Sequence, residues 1–89
     1  MSYYVYILEC GDGTFYTGQT NDLHRRLVEH QKGHGARYTM KRKPVRLVHA
    51  EKYPTRGFAM RREKEIKNLG RKGRERLILH GRTTLDDFE

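Results

Sequence analysis

The sequence predicts one small domain of mixed α and β structure, with the element order β-β-α-β-α-α. Its 89 residues allow a single modest core and leave no room for a second domain. A glycine-flanked turn joins two short runs of β-branched and aromatic residues, which is typical of a hairpin. Three later segments have helical spacing of apolar residues and are bounded by caps or glycines. We expect the domain to span residues 1–81 and the acidic stretch 82–89 to be a flexible tail.

The register of the hairpin follows from its turn. If Gly11, Asp12 and Gly13 form a three-residue loop, Tyr6 lies opposite Gly18 on the return strand. Tyr6 and Tyr16 then share one face of the sheet as diagonal neighbours. Glycine at position 18 is expected to leave open space opposite Tyr6. The two predicted strands are residues 3–9 and 15–19.

The rest of the chain is divided by caps, prolines and glycines. Asn21 or Asp22 caps a first helix, and Thr55 caps a second helix that Gly70 ends. The predicted bounds are a helix at 22–32, a basic loop or short turn at 36–43, a strand at 45–51, and helices at 56–69 and 73–80. Leu77 and Ile78 are expected to pack the last helix onto the core.

Composition excludes several classes of protein. One cysteine, Cys10, cannot form an intrachain disulfide or a cysteine-based zinc site. The apolar runs are too short for a transmembrane helix, and the N-terminus has no basic region typical of a signal peptide. The expected location is therefore the reducing cytoplasm, with no membrane partner and no obligate protein partner.

The charge distribution indicates a polyanionic partner. Lys and Arg total 19 and Asp and Glu total 11, a net charge of +8. Residues 32–76 hold sixteen of the basic and four of the acidic residues, so this segment alone carries +12. A basic segment of this kind favours nucleic acid as the partner.

Glu63 is the most unusual residue of the second long helix. The apolar stripe of this helix runs through Ala59 and Ile66, and position 63 falls on the same stripe. A carboxylate there is costly unless it is paired. Two interpretations follow: a structural ion pair with an arginine, or a carboxylate directed into a cleft, where it holds a divalent metal ion.

These residues together resemble a known family. Tyr4-Val5-Tyr6, then Tyr16-Thr17-Gly18 about ten residues later, then Arg26 and a glutamate on a later helix are similar to the GIY-YIG nuclease superfamily. The stretches GARYT and KRKPV and the helix pattern A-x-x-x-E-x-x-I-K resemble its small stand-alone bacterial members, the YhbQ-like group. The resemblance covers residues 3 to about 79.

The resemblance implies an α/β fold with a three-stranded antiparallel sheet flanked by helices. It also implies hydrolysis of DNA phosphodiester bonds with one Mg²⁺ or Mn²⁺ ion, and structure-selective cleavage in repair or recombination is one such activity. Carried over by position, Arg26 contacts the scissile phosphate and Glu63 binds the metal. The remaining implied catalytic residues are Tyr6, Tyr16, Gly18, His30 and Tyr38. The family asparagine near the C-terminus has no clear counterpart.

Physical chemistry is consistent with these roles. An arginine offers a forked donor to two phosphate oxygens. A tyrosine such as Tyr16 accepts a proton from water only if its phenol is acidified, because its reference pKa is about 10. The basic side chains nearest these motifs are expected to hold the flanking phosphates without reading sequence. They are Arg25, Arg37, Lys41, Arg42, Lys43, Arg61 and Arg62.

Two other functions are compatible with the sequence. The first is a nucleic-acid-binding module that keeps the fold with little or no catalysis. The second is a protein-interaction domain whose basic patch meets an acidic partner. The combination of Tyr6, Tyr16, Arg26 and Glu63 favours the nuclease over the binding module, and the protein-interaction domain has the least support of the three.

Overall fold

The computed structural model describes residues 2–81, and the prediction for the tail at 82–89 lies outside this range. The order of elements is β-β-α-α-β-α-α. The elements are β1 (Tyr3–Cys10), β2 (Phe15–Thr20), α1 (Leu23–Gln31), α2 (Arg37–Met40), β3 (Val45–Tyr53), α3 (Arg56–Asn68) and α4 (Gly70–His80). No helix within residues 2–81 is long and apolar enough to cross a membrane.

The three strands form one antiparallel sheet in the order β2-β1-β3, which confirms the expected fold class. The hairpin register is also as expected, with Leu8 opposite Tyr16 and Tyr6 opposite Gly18. The backbone amide of Cys10 donates to the Thr14 carbonyl across the three-residue turn. A bulge between Ile7 and Leu8 shifts the pairing of β1 with β3.

Helices cover both faces of the sheet. On one face, Tyr6 and Leu8 of β1 pack with Leu23 and Leu27 of α1. On the other face, apolar side chains of the strands pack with α3 and α4, and this second core includes Leu77 and Ile78 as expected; its buried members are Val5, Ile7, Ala59 and Ile66. The central strand β1 therefore contributes apolar residues to both cores, which explains why its sequence does not alternate.

The helix caps largely match the sequence expectations. The carboxylate of Asp22 accepts from the Arg25 amide at the start of α1, and the hydroxyl of Thr55 accepts from the Phe58 amide at the start of α3. Gly70 has a φ of 70°, a value that glycine adopts without strain, so α3 ends there as predicted.

Three boundaries differ from the prediction. The last helix begins at Gly70 and not at residue 73. The positive φ of Gly70 changes the direction of the chain at this single residue, and helical structure continues directly after it. The third strand continues to Tyr53, since β1 still offers Tyr3 as a pairing partner. The stretch expected as a loop or short turn contains the single helical turn α2.

A half-buried carboxylate anchors α3 to β3. Glu51 accepts hydrogen bonds from Arg62 (2.8 and 3.1 Å), from the Tyr53 hydroxyl and from the His49 Nε2. Burial alone would raise the pKa of the Glu51 carboxyl, but hydrogen bonds from His49, Arg62 and Tyr53 lower it to about 2. Glu51 is therefore ionised throughout the physiological range and neutralises Arg62.

Candidate active site

Two tyrosine rings lie side by side on the face of the sheet that α1 covers. The ring centroids of Tyr6 and Tyr16 are 6.3 Å apart, and the two rings are tilted by 43°. Tyr6 is only 1% exposed, whereas Tyr16 is half-buried. The shared face follows from the hairpin register, because residues opposite one another point to the same side. Tyr16 is therefore the more accessible of the two phenols.

Gly18 seats the Tyr6 phenol and does not leave open space as the sequence suggested. A Cβ at this position would lie 2.7 Å from the Tyr6 Oη and 3.0 Å from Cε2 of Tyr16. The space that the missing side chain creates is filled by the Tyr6 ring itself. The absence of a side chain at Gly18 therefore allows the two tyrosine rings to pack against this part of β2.

His30 completes the buried side of the site. It is fully buried at the end of α1, and its ring centroid is 5.2 Å from that of Tyr16. The Tyr6 hydroxyl lies 3.0 Å from His30 Nε2. On its other side, His30 Nδ1 lies 2.7 Å from the Thr39 hydroxyl of α2. Both ring nitrogens of this histidine are thus engaged.

Arg26 lies one turn before His30 on α1 and is half-buried. Its Nη1 donates to the Glu29 carboxylate at 3.2 Å. Burial opposes its charged form, but interactions with the Tyr6 phenol and Glu29 outweigh this and raise the pKa of Arg26 above its ordinary value. A guanidinium held from two sides is suited to binding a phosphate in a defined orientation.

Burial determines the protonation states of the inner pair. It raises the pKa of Tyr6 to about 12, helped by Tyr16 and, more weakly, by the charge of Glu63, while Arg26 opposes the shift. Burial also lowers the pKa of His30 to about 4, and the adjacent Arg26 charge adds to the effect. At neutral pH, Tyr6 therefore keeps its proton and His30 is neutral.

Tyr38 extends the site to the surface. The ring centroid of Tyr38 is 6.0 Å from that of Tyr16. The Arg42 guanidinium lies over the Tyr38 ring, 4.0 Å from its centroid. Residues of α2 and its C-terminal flank line a shallow depression here: Arg37, Tyr38, Met40, Lys41 and Arg42. We call Tyr6, Tyr16, Arg26, His30 and Tyr38 the site cluster. Basic and aromatic groups therefore meet at the edge of this cluster.

Glu63 is not a member of the site cluster, but it lies within electrostatic range of Tyr6. Its charge contributes to the raised pKa of Tyr6. Its side chain is 22% exposed, and Lys67, one turn later, approaches its Oε2 at 2.9 Å. Its ion-pair partner is therefore a lysine and not an arginine. Because Lys67 is 53% exposed, it is free to move to another anion.

The other predicted nucleic-acid-binding residues are spread over the surface. Arg25 is exposed near the start of α1, and the Lys43 side chain passes close to Gly33. Arg61 lies over the Phe58 ring, and Arg62 is bonded to Glu51. Arg42 also donates to the Asp12 carboxylate and so ties α2 to the hairpin turn. Arg37, Lys41 and Arg42 line the depression beside Tyr38.

A divalent ion would have one protein carboxylate in this site. Residues 2–81 contain no group of three or more His, Cys, Asp or Glu side chains suited to a metal. Magnesium commonly binds through one or two carboxylates, with water and substrate phosphate oxygens filling the other positions. Glu63 fits this mode because its carboxylate is partly exposed and lies near the site cluster.

Three supporting residues were missed by the sequence analysis. Thr39 binds His30 and Glu29 binds Arg26, while Gly35 packs so closely on His30 that a Cβ there would overlap Nδ1. The i, i+3 spacing of Arg26 and Glu29 was a readable signal. Nothing in the sequence around Thr39 indicated that it would be buried, since it lies within a basic segment.

The fold and the site define a class of protein. A three-stranded sheet whose hairpin brings two tyrosines onto one face, with an arginine and a histidine on the following helix, is the arrangement expected from the resemblance to GIY-YIG domains. A family model described as the GIY-YIG catalytic domain matches residues 2–76, and the chain belongs to this family. Divalent metal ions and nucleic acids are usual for GIY-YIG nucleases.

Relatives of known sequence and structure agree with this membership. The UPF0213 protein of the archaeon Natronomonas pharaonis is 51% identical over 76 residues, which are 85% of this chain and 89% of the relative. The solution NMR structure of the UPF0213 protein BH0048 from Bacillus halodurans is 50% identical with a TM-score of 0.59, and covers 91% of this chain and 87% of its own. The NMR structure of EF2693 from E. faecalis is 45% identical with a TM-score of 0.61, over 88% and 83% of the two chains.

The buried neutral state of His30 makes stability depend on pH. The folded pKa of about 4 lies below the ordinary value of 6.5, so only the unfolded chain binds this proton between those values. We expect the free energy of unfolding to fall as pH drops from 6.5 to 4, by at most about 1.4 kcal/mol per pH unit. Urea unfolding at pH 7, 6, 5 and 4.5 measures this. In His30→Gln the dependence over this window should flatten, and an unchanged slope would show that His30 does not cause it. Glu51 contributes mainly below its own ordinary pKa of 4.5, because its folded pKa is about 2.

Proposed function

We propose that this chain is a divalent-metal-dependent endonuclease that hydrolyses phosphodiester bonds of DNA. The observation that carries the proposal is the convergence of the Tyr6, Tyr16 and His30 rings, with Arg26 and Glu63 in electrostatic range of Tyr6. Hydrolysis of a phosphodiester requires a bound phosphate, an activated water and stabilisation of the leaving oxygen. The site offers a residue for each of these requirements.

Arg26 binds the scissile phosphate in this mechanism. Its guanidinium is oriented by Glu29 and Tyr6 before substrate arrives, so little ordering is needed on binding. Glu63 would hold the metal ion, and the exposed Lys67 would release the carboxylate when the ion binds. When bound, the ion supplies positive charge that stabilises the leaving oxygen.

Tyr16 receives the proton of the attacking water, a step in which its side chain acts as the deprotonated phenolate and becomes the neutral phenol. It is half-buried and next to the Tyr38 and Arg42 surface, where substrate approaches. Tyr6 is unsuited to this step because it is buried and its pKa is about 12. Tyr6 instead orients Arg26 and packs against Tyr16.

The decisive test is cleavage of a panel of DNAs. Branched, nicked, single-stranded and duplex molecules are incubated with Mg²⁺ or Mn²⁺, with Glu63→Ala as the control. We expect metal-dependent cleavage of at least one structure by the native chain and none by the variant. Binding of DNA without cleavage of any of these molecules would favour the nucleic-acid-binding module instead.

DNA binding should depend steeply on salt. We expect the logarithm of the association constant to fall linearly with the logarithm of salt concentration, with a slope of about −0.9 for each contacted phosphate. Lys41→Gln, next to Tyr38, should make this slope shallower by about 1. Arg46→Gln is the matched control, because Arg46 is exposed and paired with Glu9 and is not among the predicted contacts. Binding that does not respond to salt would contradict the phosphate contacts.

A further inference from the structure

Thr39 is a fully buried threonine within a basic and otherwise largely exposed segment. Its hydroxyl lies 2.7 Å from His30 Nδ1 and 3.0 Å from the carbonyl oxygen of Ala36. Thr39 takes no direct part in the proposed hydrolysis. Its contacts connect α2 to the buried end of the site cluster.

The hydrogen-bond partners of Thr39 determine which nitrogen of His30 carries the proton. A carbonyl oxygen only accepts, so the single hydroxyl hydrogen of Thr39 goes to Ala36. The Thr39 oxygen then accepts from His30, which places the imidazole hydrogen on Nδ1. A neutral imidazole has only one such hydrogen, so Nε2 is left as an acceptor for the Tyr6 hydroxyl.

The burial of Tyr6 independently favours the same arrangement. The Tyr6 phenol keeps its proton at neutral pH, because burial raises its pKa to about 12, so the hydroxyl hydrogen needs an acceptor. Tyr6 is buried, and a buried hydroxyl hydrogen without an acceptor is costly. His30 Nε2 at 3.0 Å is that acceptor only if it carries no hydrogen.

We propose that Thr39 is a positioning residue for Arg26, acting through His30 and Tyr6. The hydroxyl of Thr39 holds His30 with its hydrogen on Nδ1, and Nε2 draws the Tyr6 hydrogen inward. The Tyr6 oxygen then turns its lone pairs towards Arg26 and fixes the guanidinium. This role extends the proposed endonuclease function, on which its catalytic consequence rests.

Gly35 supports the same assignment. A side chain there would overlap the His30 ring, so glycine allows the segment before α2 to lie directly against the imidazole. Thr39 and the close approach at Gly35 therefore hold the ring in one position. Tyr38, which precedes Thr39 in α2, contacts Tyr16. Helix α2 therefore supports Tyr16 through Tyr38, and Tyr6 through Thr39 and His30.

The test compares Thr39→Val, which keeps the shape and removes the hydroxyl, with Thr39→Ser, which keeps the hydroxyl. Nitrogen NMR of the His30 ring reports the tautomer, and the Arg26 side-chain NH signals report how firmly the guanidinium is held. We expect the Nδ1–H tautomer in the native chain and in Thr39→Ser. In Thr39→Val we expect a shift towards Nε2–H and faster exchange of the Arg26 side-chain hydrogens.

Cleavage is measured on the same proteins. We expect Thr39→Val to lower kcat about ten- to a hundredfold, the usual effect of removing the hydrogen-bond partner of a functional histidine. Thr39→Ser keeps the hydroxyl and should retain most of the native kcat. A native Nε2–H tautomer, or unchanged His30 and Arg26 signals in Thr39→Val, would overturn the proposal. These NMR results do not require activity, so a native chain that cleaves no DNA would refute the nuclease function alone.

Discussion

Glu63→Gln is expected to abolish metal-dependent cleavage while the protein stays folded. Glutamine keeps the shape of the side chain and removes the charge that a divalent ion requires. The loss of a metal-binding carboxylate should cost about 4 kcal/mol of transition-state stabilisation or more, which is at least about a thousandfold in rate. The variant is tested for cleavage, for Mn²⁺ binding and for urea unfolding.

Stability should change little in Glu63→Gln. The ion pair with Lys67 is partly exposed and spaced i, i+4, so it contributes only about 0.3–0.5 kcal/mol. DNA binding should hold or become tighter, because an anion is removed from a basic surface.

Lys67→Gln is the matched control, since it breaks the same ion pair and leaves the carboxylate. We expect it to keep its Mn²⁺ binding and its cleavage. If the two variants lose activity equally, cleavage depends on the ion pair between Glu63 and Lys67 and not on a metal ion bound by Glu63. A destabilised Glu63→Gln protein with unchanged Mn²⁺ binding would show that Glu63 is structural.

Gly18→Ala is expected to disrupt the packing of Tyr6 and Tyr16, because it adds a methyl group where the Tyr6 ring lies. The new Cβ would lie 2.7 Å from Tyr6 Oη and 2.8 Å from Tyr6 Cζ, well inside van der Waals contact. The Tyr6 ring is enclosed by the core and must shift, which should cost about 1–3 kcal/mol of stability. A displacement of this size at Tyr6 and Arg26 should lower kcat about a hundredfold.

Gly57→Ala provides the comparison for this substitution. Gly57 lies in the first turn of α3, and a Cβ there meets nothing within 4 Å. We expect unchanged cleavage and a stability that is equal or higher by up to about 1 kcal/mol, because alanine favours the helix. Thermal unfolding and cleavage rates of the two variants are compared directly. Equal effects of both substitutions would show that Gly18 has no special relation to Tyr6.

Local sequence signals were sufficient for the hairpin and the helix caps. The three-residue turn allowed the register to be derived, and with it the common face of Tyr6 and Tyr16. Asp22 and Thr55 begin their helices because their side chains bond nearby backbone amides. Each of these interactions spans only a few residues, so the sequence contains all the information that they need.

Contacts between distant segments required the tertiary structure. The glycine at position 18 was visible in the sequence, but the ring that fills its space was not. In the same way, the spacing of α3 placed Glu63 on the apolar stripe, whereas its half-burial and its pairing with Lys67 depend on how α3 packs on the sheet.

The sequence by itself determined the class of fold and the hairpin register, because periodicity and turn chemistry act over short distances. Motif spacing singled out the candidate site residues. Only the tertiary structure decided that α2 closes over His30 and that Thr39 is buried there. It also decided that Tyr6 is the inner and Tyr16 the outer phenol. Burial and hydrogen-bond direction arise from groups that are far apart in the chain, and these two properties determine the protonation states on which the chemistry depends.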